Sequence, residues 1–276
     1  MDVSSVHFRK QEARALSDLT LQITRDVSRR IDTYNVHKAI VTAGPRKCMA
    51  LDNQLQSMMM KDGKAPFINI DLSERAAILV PIVLEFIYHS PNFEITTKTA
   101  VGLRHLAEYF RIAQLQEAAW QFIKKDIQQL ENLELYLAEA NYFNDKQTAT
   151  WVAFECAKKI QQIPLSSSIW QDLTPEDFKQ SIKVSRACRT GNPLQTSELV
   201  AMYCSHHVKQ LTERTFKELT CSKNLPAVSK NAALKLLEIE FQIRQLNGAV
   251  DTKSTPHETL SPLQRRCVQA LANHQM

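Results

Sequence analysis

The sequence predicts an α+β protein, with a small N-terminal sheet wrapped by helices and an all-helical region after it. Three observations carry this reading. Leu19, Leu21 and Ile23 alternate with Asp18, Thr20 and Gln22, which is the period of a half-buried strand. From residue 98 onward, apolar residues recur at i, i+3, i+4 and i+7, the period of an amphipathic helix. Beyond residue 130 no stretch keeps strand period.

The elements follow in order. Residues 1–16 are polar and read as a short helix or a frayed arm. Residues 18–24 and 31–36 are two extended pieces. Asp26-Val27-Ser28-Arg29-Arg30 between them is short enough for a hairpin, although it lacks an Asn-Gly turn. Helical period begins after His37. A third extended piece, Phe67-Ile68-Asn69-Ile70, follows the turn-like Lys61-Asp62-Gly63-Lys64. Pro81 interrupts the apolar stretch from Ser73 to Phe86. A helix restarting at Pro81 accommodates it, because a missing N–H does no harm in a first turn. The helix over 98–110 carries Leu103, Leu106, Ala107 and Phe110 on one stripe. The next repeats the spacing with Leu115, Ala118, Ala119 and Phe122.

Further helices are expected over about 132–143, 146–162, 174–184, 196–208, 211–220 and 229–246. Two segments resemble each other: Leu173-Thr174-Pro175-Glu176-Asp177-Phe178-Lys179 and Leu211-Thr212-Glu213-Arg214-Thr215-Phe216-Lys217. Each offers a threonine cap, acidic residues for the first helical turn, and a phenylalanine at the same offset. Two copies suggest a helical-pair repeat without diagnosing a solenoid. Asn247-Gly248 is a stop signal. Residues 249–276 read as a flexible linker with a short C-terminal helix through Leu263, Val268 and Leu271.

Composition excludes several classes of function. The chain has 276 residues, 44% hydrophobic and 23% charged, with a net charge of +5, so it holds one large domain or two ordinary ones. The basic pairs Arg29-Arg30, Lys124-Lys125, Lys158-Lys159 and Arg265-Arg266 are scattered and read as solvated faces, which makes nucleic-acid binding an unfavoured function. The five glycines are dispersed, so no loop can cradle a phosphate. None of the six cysteines stands in a Cys-x-x-Cys pair. The polar N-terminus resembles no secretory leader. The longest apolar run, Ala76 to Leu84, is far short of the roughly twenty residues a membrane span takes. These observations imply reduced thiols, no membrane segment and a place in the cytoplasm or nucleus.

No catalytic constellation emerges. There is no Gly-x-Ser-x-Gly elbow to present a nucleophilic serine. Cys204, His206 and His207 lie close together, but no second ligand pair accompanies them. They read as one buried cysteine and two exposed histidines on a helix. Glu134, Glu139 and Glu155 read as solvated faces, and Trp120, Trp151 and Trp170 as core or junction anchors. No cofactor, metal or enzymatic activity is expected.

The order of motifs from Ser17-Asp18-Leu19-Thr20-Leu21 through Asn35-Val36-His37-Lys38-Ala39, Ile70-Asp71-Leu72, Leu84-Glu85-Phe86-Ile87-Tyr88 and Leu103-Arg104-His105-Leu106-Ala107 to Leu115-Gln116-Glu117-Ala118 resembles the BTB/POZ domain, a docking and dimerising fold. The resemblance covers residues 16–125. It implies a strand ending near Leu21 and a buried helical hairpin opened at His37. It implies too that Asp18 and His37 are buried structural residues tying strand to helix, and that Phe86, Leu106 and Phe110 share one core. Residues 130–247 are similar to the all-helical BACK domain, which often follows BTB. Leu130, Asn132, Leu133, Leu135 and Ala138 correspond to its opening helix. The chain departs from the family at Gly44-Pro45-Arg46-Lys47-Cys48 and at 53–60, where cullin-binding members commonly carry a glutamate and this sequence has none.

The resemblance implies a non-catalytic adaptor. Its partners would be a cullin scaffold and a client protein, as in a ubiquitin ligase, or a second copy of itself. The candidate contacts are Leu55, Met58, Met59, Tyr109, Asn132 and Tyr136, with the run Met58-Met59-Met60 as the adaptable centre. A nuclear transcriptional or chromatin cofactor acting through BTB-mediated dimerisation is the alternative. It would show salt-dependent DNA retention.

Overall fold

The computed structural model describes residues 16–44, 46–59, 67–246 and 260–272. The expectations for the N-terminal arm, the turn at 61–64, Met60 and the linker after Asn247 lie outside the described residues. The chain divides into two compact units. The first comprises Met1–Asp126 with Glu139–Asp145, and the second Ile127–Ala138 with Lys146–Met276.

The first unit is built on a three-stranded sheet of β1 (Leu19–Arg25), β2 (Ile31–Val36) and β3 (Phe67–Leu72), in the order β2-β1-β3. β1 pairs antiparallel with β2, Leu21 opposite Tyr34, and parallel with β3, Leu21 opposite Ile68. This register puts Leu19, Leu21 and Ile23 beside Ile68 and Ile70 on one buried face. The other face is mostly polar, with Thr24 Oγ1 donating to Asn69 Oδ1 at 3.2 Å, and carries the exposed Phe67 and Ile31 at its ends. The hairpin turns without glycine because Arg29 takes the left-handed conformation, at φ 54°.

Five helices complete this unit: α1 (Lys38–Thr42), α2 (Met49–Met59), α3 (Glu74–Ile87), α4 (Ala100–Phe110) and α5 (Ala113–Asp126). One expectation is corrected here, because α3 does not restart at Pro81 but runs through it. Its start is fixed a full two turns earlier. Ser73 Oγ accepts from the Ala76 N–H, and the hairpin residue Asp26 accepts from the Glu74 N–H at 3.0 Å. Arg25 donates to Glu74 at 2.7 Å and to Asp32 at 2.8 Å, so the hairpin clamps the helix N-terminus. Pro81 then removes one mid-helix donor, a loss of roughly 3 kcal/mol in an exposed helix. Burial of Val80, Val83, Leu84, Phe86 and Ile87 around it offsets that loss. Gly102 admits close packing of α4, since a Cβ there would stand 2.3 Å from Leu79 Cδ1. Phe86, Leu106 and Phe110 are all buried, with the Phe86 ring edge-on to Phe93 at 5.0 Å.

The described residues of the second unit form helices joined by turns and loops, with no strand among them. After a 3-10 turn at Leu130–Asn132 come α6 (Leu133–Phe143), α7 (Lys146–Lys158), α8 (Ser168–Asp172), α9 (Pro175–Ala187), α10 (Pro193–His206), α11 (Glu213–Thr220), α12 (Lys230–Leu246) and α13 (Pro262–Ala272). The division between units falls within α6, after Ala138. The two similar segments start α9 and α11 in the same way. Thr174 Oγ1 accepts from the Asp177 N–H at 3.2 Å, and Thr212 Oγ1 from the Thr215 N–H at 3.1 Å. Leu173 and Leu211 precede the caps and are buried with Phe178 and Phe216, the arrangement of a hydrophobic staple. Phe178 stacks on Tyr203 at 3.7 Å between centroids, and Tyr203 on His207 at 4.3 Å. Burial pushes the Tyr203 phenol up, and its hydroxyl donates to the Leu173 carbonyl at 3.0 Å.

Several expectations change in this unit. α10 begins at Pro193 rather than 196, because Asn192 Oδ1 accepts from the Leu194 N–H and Pro193 supplies the first helical φ. His207 is buried rather than exposed, held by the stack on Tyr203. Glu155 is buried beside Lys158 at 2.8 Å, not a solvated face. Glu139 is largely covered and paired with Arg75 at 2.7 Å within the first unit. The expected short C-terminal helix is present as α13. Its buried face is Leu263 and Cys267 while Val268 is exposed, and Arg266 donates to the carbonyls of Thr220 and Leu225.

Candidate protein-interaction surface

The connection from β2 into the helical hairpin is held by long-range polar contacts. The His37 backbone N–H donates to the Tyr88 hydroxyl oxygen at 2.9 Å, and that hydroxyl lies 2.9 Å from His37 Nδ1. Since the oxygen already accepts from the backbone, its proton points to Nδ1. Burial raises the Tyr88 phenol to about 12, so the hydroxyl keeps that proton. Asp18 Oδ1 accepts from the Lys38 N–H at 2.7 Å. It therefore ties the strand to the helix start from an exposed position, which corrects the expectation that it is buried. A carboxylate at a helix N-terminus gains from solvent and from the macrodipole alike, so burial is unnecessary.

The approach to α2 is pinned from the other side. The Arg46 guanidinium donates to the Phe86 carbonyl at 2.9 Å and lies 4.4 Å above the Phe86 ring. The buried Cys48 thiol donates to the Phe110 carbonyl at 3.2 Å. Burial raises that thiol to about 11, so it serves as a donor and not as a nucleophile. Tyr109, the neighbour of Phe110, is close enough to Cys48, just before α2, for the two groups to interact electrostatically.

α2 is thus fixed with Leu51 and Leu55 inward. The helical period then turns Met49, Asn53 and Gln56 outward, at i, i+4 and i+7. Asp52 is the only charged residue on this helix. Tyr109 extends the patch. It is 47% exposed, its ring is edge-on to Phe110 at 5.2 Å, and partial burial with the Asp71 charge nearby raises its phenol.

The residues singled out from the sequence divide accordingly. Tyr109 is exposed and Met58 half-buried at the rim of α2. Met59 ends the helix, with its side chain outside the described residues. Leu55 is corrected: at 4% exposure it is a core residue, because it lies on the inner stripe of α2 with Leu51. Tyr136 is likewise corrected, being fully buried on the inner face of α6 with Leu133 and Leu137. Asn132 and Tyr136 both fall in the second unit. Asn132 closes the 3-10 turn, half-buried, with its amide 3.5 Å from Gln129 Oε1. Met49, Asn53 and Gln56 were overlooked, and the helical period anchored on Leu51 would have found them.

Among the described residues, no group of three or more His, Cys, Asp or Glu is placed to hold a metal ion, and no helix is long and apolar enough to cross a membrane. No family model matches the chain, and no curated protein matches it.

Proposed function

We propose that this chain is a protein-interaction adaptor of the BTB/POZ kind. It docks a partner on the outer face of α2 together with Tyr109, and the helical second unit is of the BACK kind. The observation that carries the reading is the composition of that face. A solvent-facing helix in an ordinary domain is rich in charge, whereas α2 offers Met49, Asn53 and Gln56 and a single carboxylate. Interface cores are depleted in charge and enriched in methionine and tyrosine. The strand order, the helical pair α1–α2 opened at His37, and the Asp18 and His37 ties all support the same reading. The face has no glutamate between 53 and 60, so amide and thioether groups would make the contact.

The test is titration of the full chain with a purified cullin N-terminal domain, followed by Asn53→Arg and Tyr109→Ala. Both side chains are solvent-facing, so both variants should fold. Binding weakened about tenfold or more by either variant supports the reading. No binding at roughly tens of micromolar removes the cullin as partner. Self-association is then the remaining role of the face. Sedimentation of the wild type and Asn53→Arg decides it, and a monomer in both would end the proposal.

A further inference from the structure

The second unit carries a groove whose chemistry is opposite to that of α2. Two adjoining cavities, of about 660 and 350 Å³, share Asn224 in their walls. They lie along α9, α11 and the segment after it. Six cationic side chains line them against two carboxylates, Glu213 and Glu218. The chain as a whole has a net charge of only +5, so most of its excess is gathered at this one place.

The two carboxylates are already committed. Glu218 takes Lys179 at 2.9 Å and Arg214 at 3.1 Å, and Glu213 takes Lys217. These pairs hold both carboxyls below the usual range. The remaining cations, Lys183, Arg186, Arg189 and Lys223, have no carboxylate at ion-pair distance among the described residues, and all four are exposed. Lys183 feels Glu176 only through longer-range attraction. Arg186 stands in the last turn of α9, where a cation offsets the helix dipole. That accounts for one of the four and leaves the others unexplained. The floor is apolar and structured: Ile182 is buried, and Asn224 is fixed by donating to the Glu218 carbonyl at 2.6 Å.

We propose that this groove binds an acidic, extended segment of a partner protein. Its cations are divided between two adjoining cavities, which fits successive carboxylates better than a single small anion. No aromatic side chain lines either cavity, so nucleic-acid bases would find no stacking platform. The inference stands on the second unit alone and is independent of what α2 binds.

The experiment uses the full chain and fluorescence anisotropy of a labelled peptide of alternating glutamate and serine. Its glutamine counterpart and a single-stranded polyuridine competitor serve as controls. The glutamate peptide should bind, with affinity falling steeply as salt rises. The triple variant Lys183→Glu, Arg186→Glu, Lys223→Glu should bind about tenfold more weakly or worse. The matching glutamine variant, which adds no new charge, should show an intermediate loss and guards against misfolding of the first. Tyr109→Ala should leave peptide binding unchanged. Equal binding of the glutamine peptide, or unchanged affinity in both triple variants, overturns the proposal. Polyuridine displacing the peptide at lower concentration than unlabelled peptide does would reassign the groove to nucleic acid and overturn it too.

Discussion

The first unit is assembled by contacts that are distant in sequence, and the second largely by contacts that begin locally. In the first, Arg25 reaches Glu74, His37 reaches Tyr88, and Arg46 reaches Phe86. The strand that completes the sheet pairs Leu21 with Ile68. In the second, Thr174 and Thr212 cap the helices they begin, each with a phenylalanine one turn on. The buried stack of Phe178, Tyr203 and His207 then joins those local units. Loop-closure entropy must be met before long-range pairs reward it, so the first unit has little partial structure to fall back on. The second can lose a cap and keep its core. The surfaces differ in the same sense: α2 presents thioether and amide groups, and the α9–α11 groove presents cations.

The largest expected effects come from the two aromatic cores. Phe178→Ala and Phe86→Ala should each destabilise by about 3–5 kcal/mol. Phe178→Ala should be the worse of the two, because its fully buried ring meets two others, Tyr203 and Trp170, whereas Phe86 meets one, Phe93, and the half-buried Arg46. Denaturant unfolding of both variants checks the order, and Phe86→Ala proving the worse would break the comparison.

Next comes Tyr88→Phe. It removes one hydroxyl that serves both the backbone and the ring of His37, in a buried place, and should destabilise by about 1–3 kcal/mol. Thr174→Ala loses only a cap and should destabilise by about 1 kcal/mol. If Thr174→Ala is the more damaging, the local character assigned to the second unit is wrong. Thermal midpoints of the two variants decide this.

The smallest effect per group concerns pH. Hydrogen bonds from Arg25 hold Glu74 below the usual carboxylate range in the first unit. In the second, Lys179 does the same for Glu176 and Glu218, and Lys217 for Glu213. Each such group binds its proton less readily folded than unfolded. Its stabilisation is therefore fully present above the unfolded value of roughly 4.3 and is lost as pH falls through the lower folded value. Stability should decline with acidification below about pH 5, more in the second unit, with three such groups among its described residues, than in the first, with one. Salt should blunt the decline, because these pairs are exposed. Hydrogen exchange resolved by residue along a pH series measures both units at once, and a first unit that loses more would contradict the assignment.

Much of the fold was legible because it rests on local signals. Alternation at Leu19, Leu21 and Ile23 marked the strand, and Thr-Pro-Glu-Asp-Phe marked the start of α9. Pro81 misled because a proline reads locally as a helix break, while the clamp that starts α3 comes from the hairpin some fifty residues earlier in the chain. Leu55 and Tyr136 misled for another reason. An apolar or aromatic residue on a helix is equally suited to core and interface, and only the position of the inner stripe separates the two.

The basic groove could not be read as a basic patch. Its cations are single residues spaced by helical turns on or just after α9 and α11, with the whole of α10 between those helices, so no run of Lys and Arg announces them. Sequence alone determined the strands, the capped helices, the sparse glycines and the near-absence of charge on α2, because each depends on neighbours along the chain. Tertiary structure alone decided which face of α2 is outward, that Pro81 lies inside a helix, and that Lys183, Arg186 and Lys223 line adjoining cavities, because each depends on packing between segments that meet only when the chain is folded.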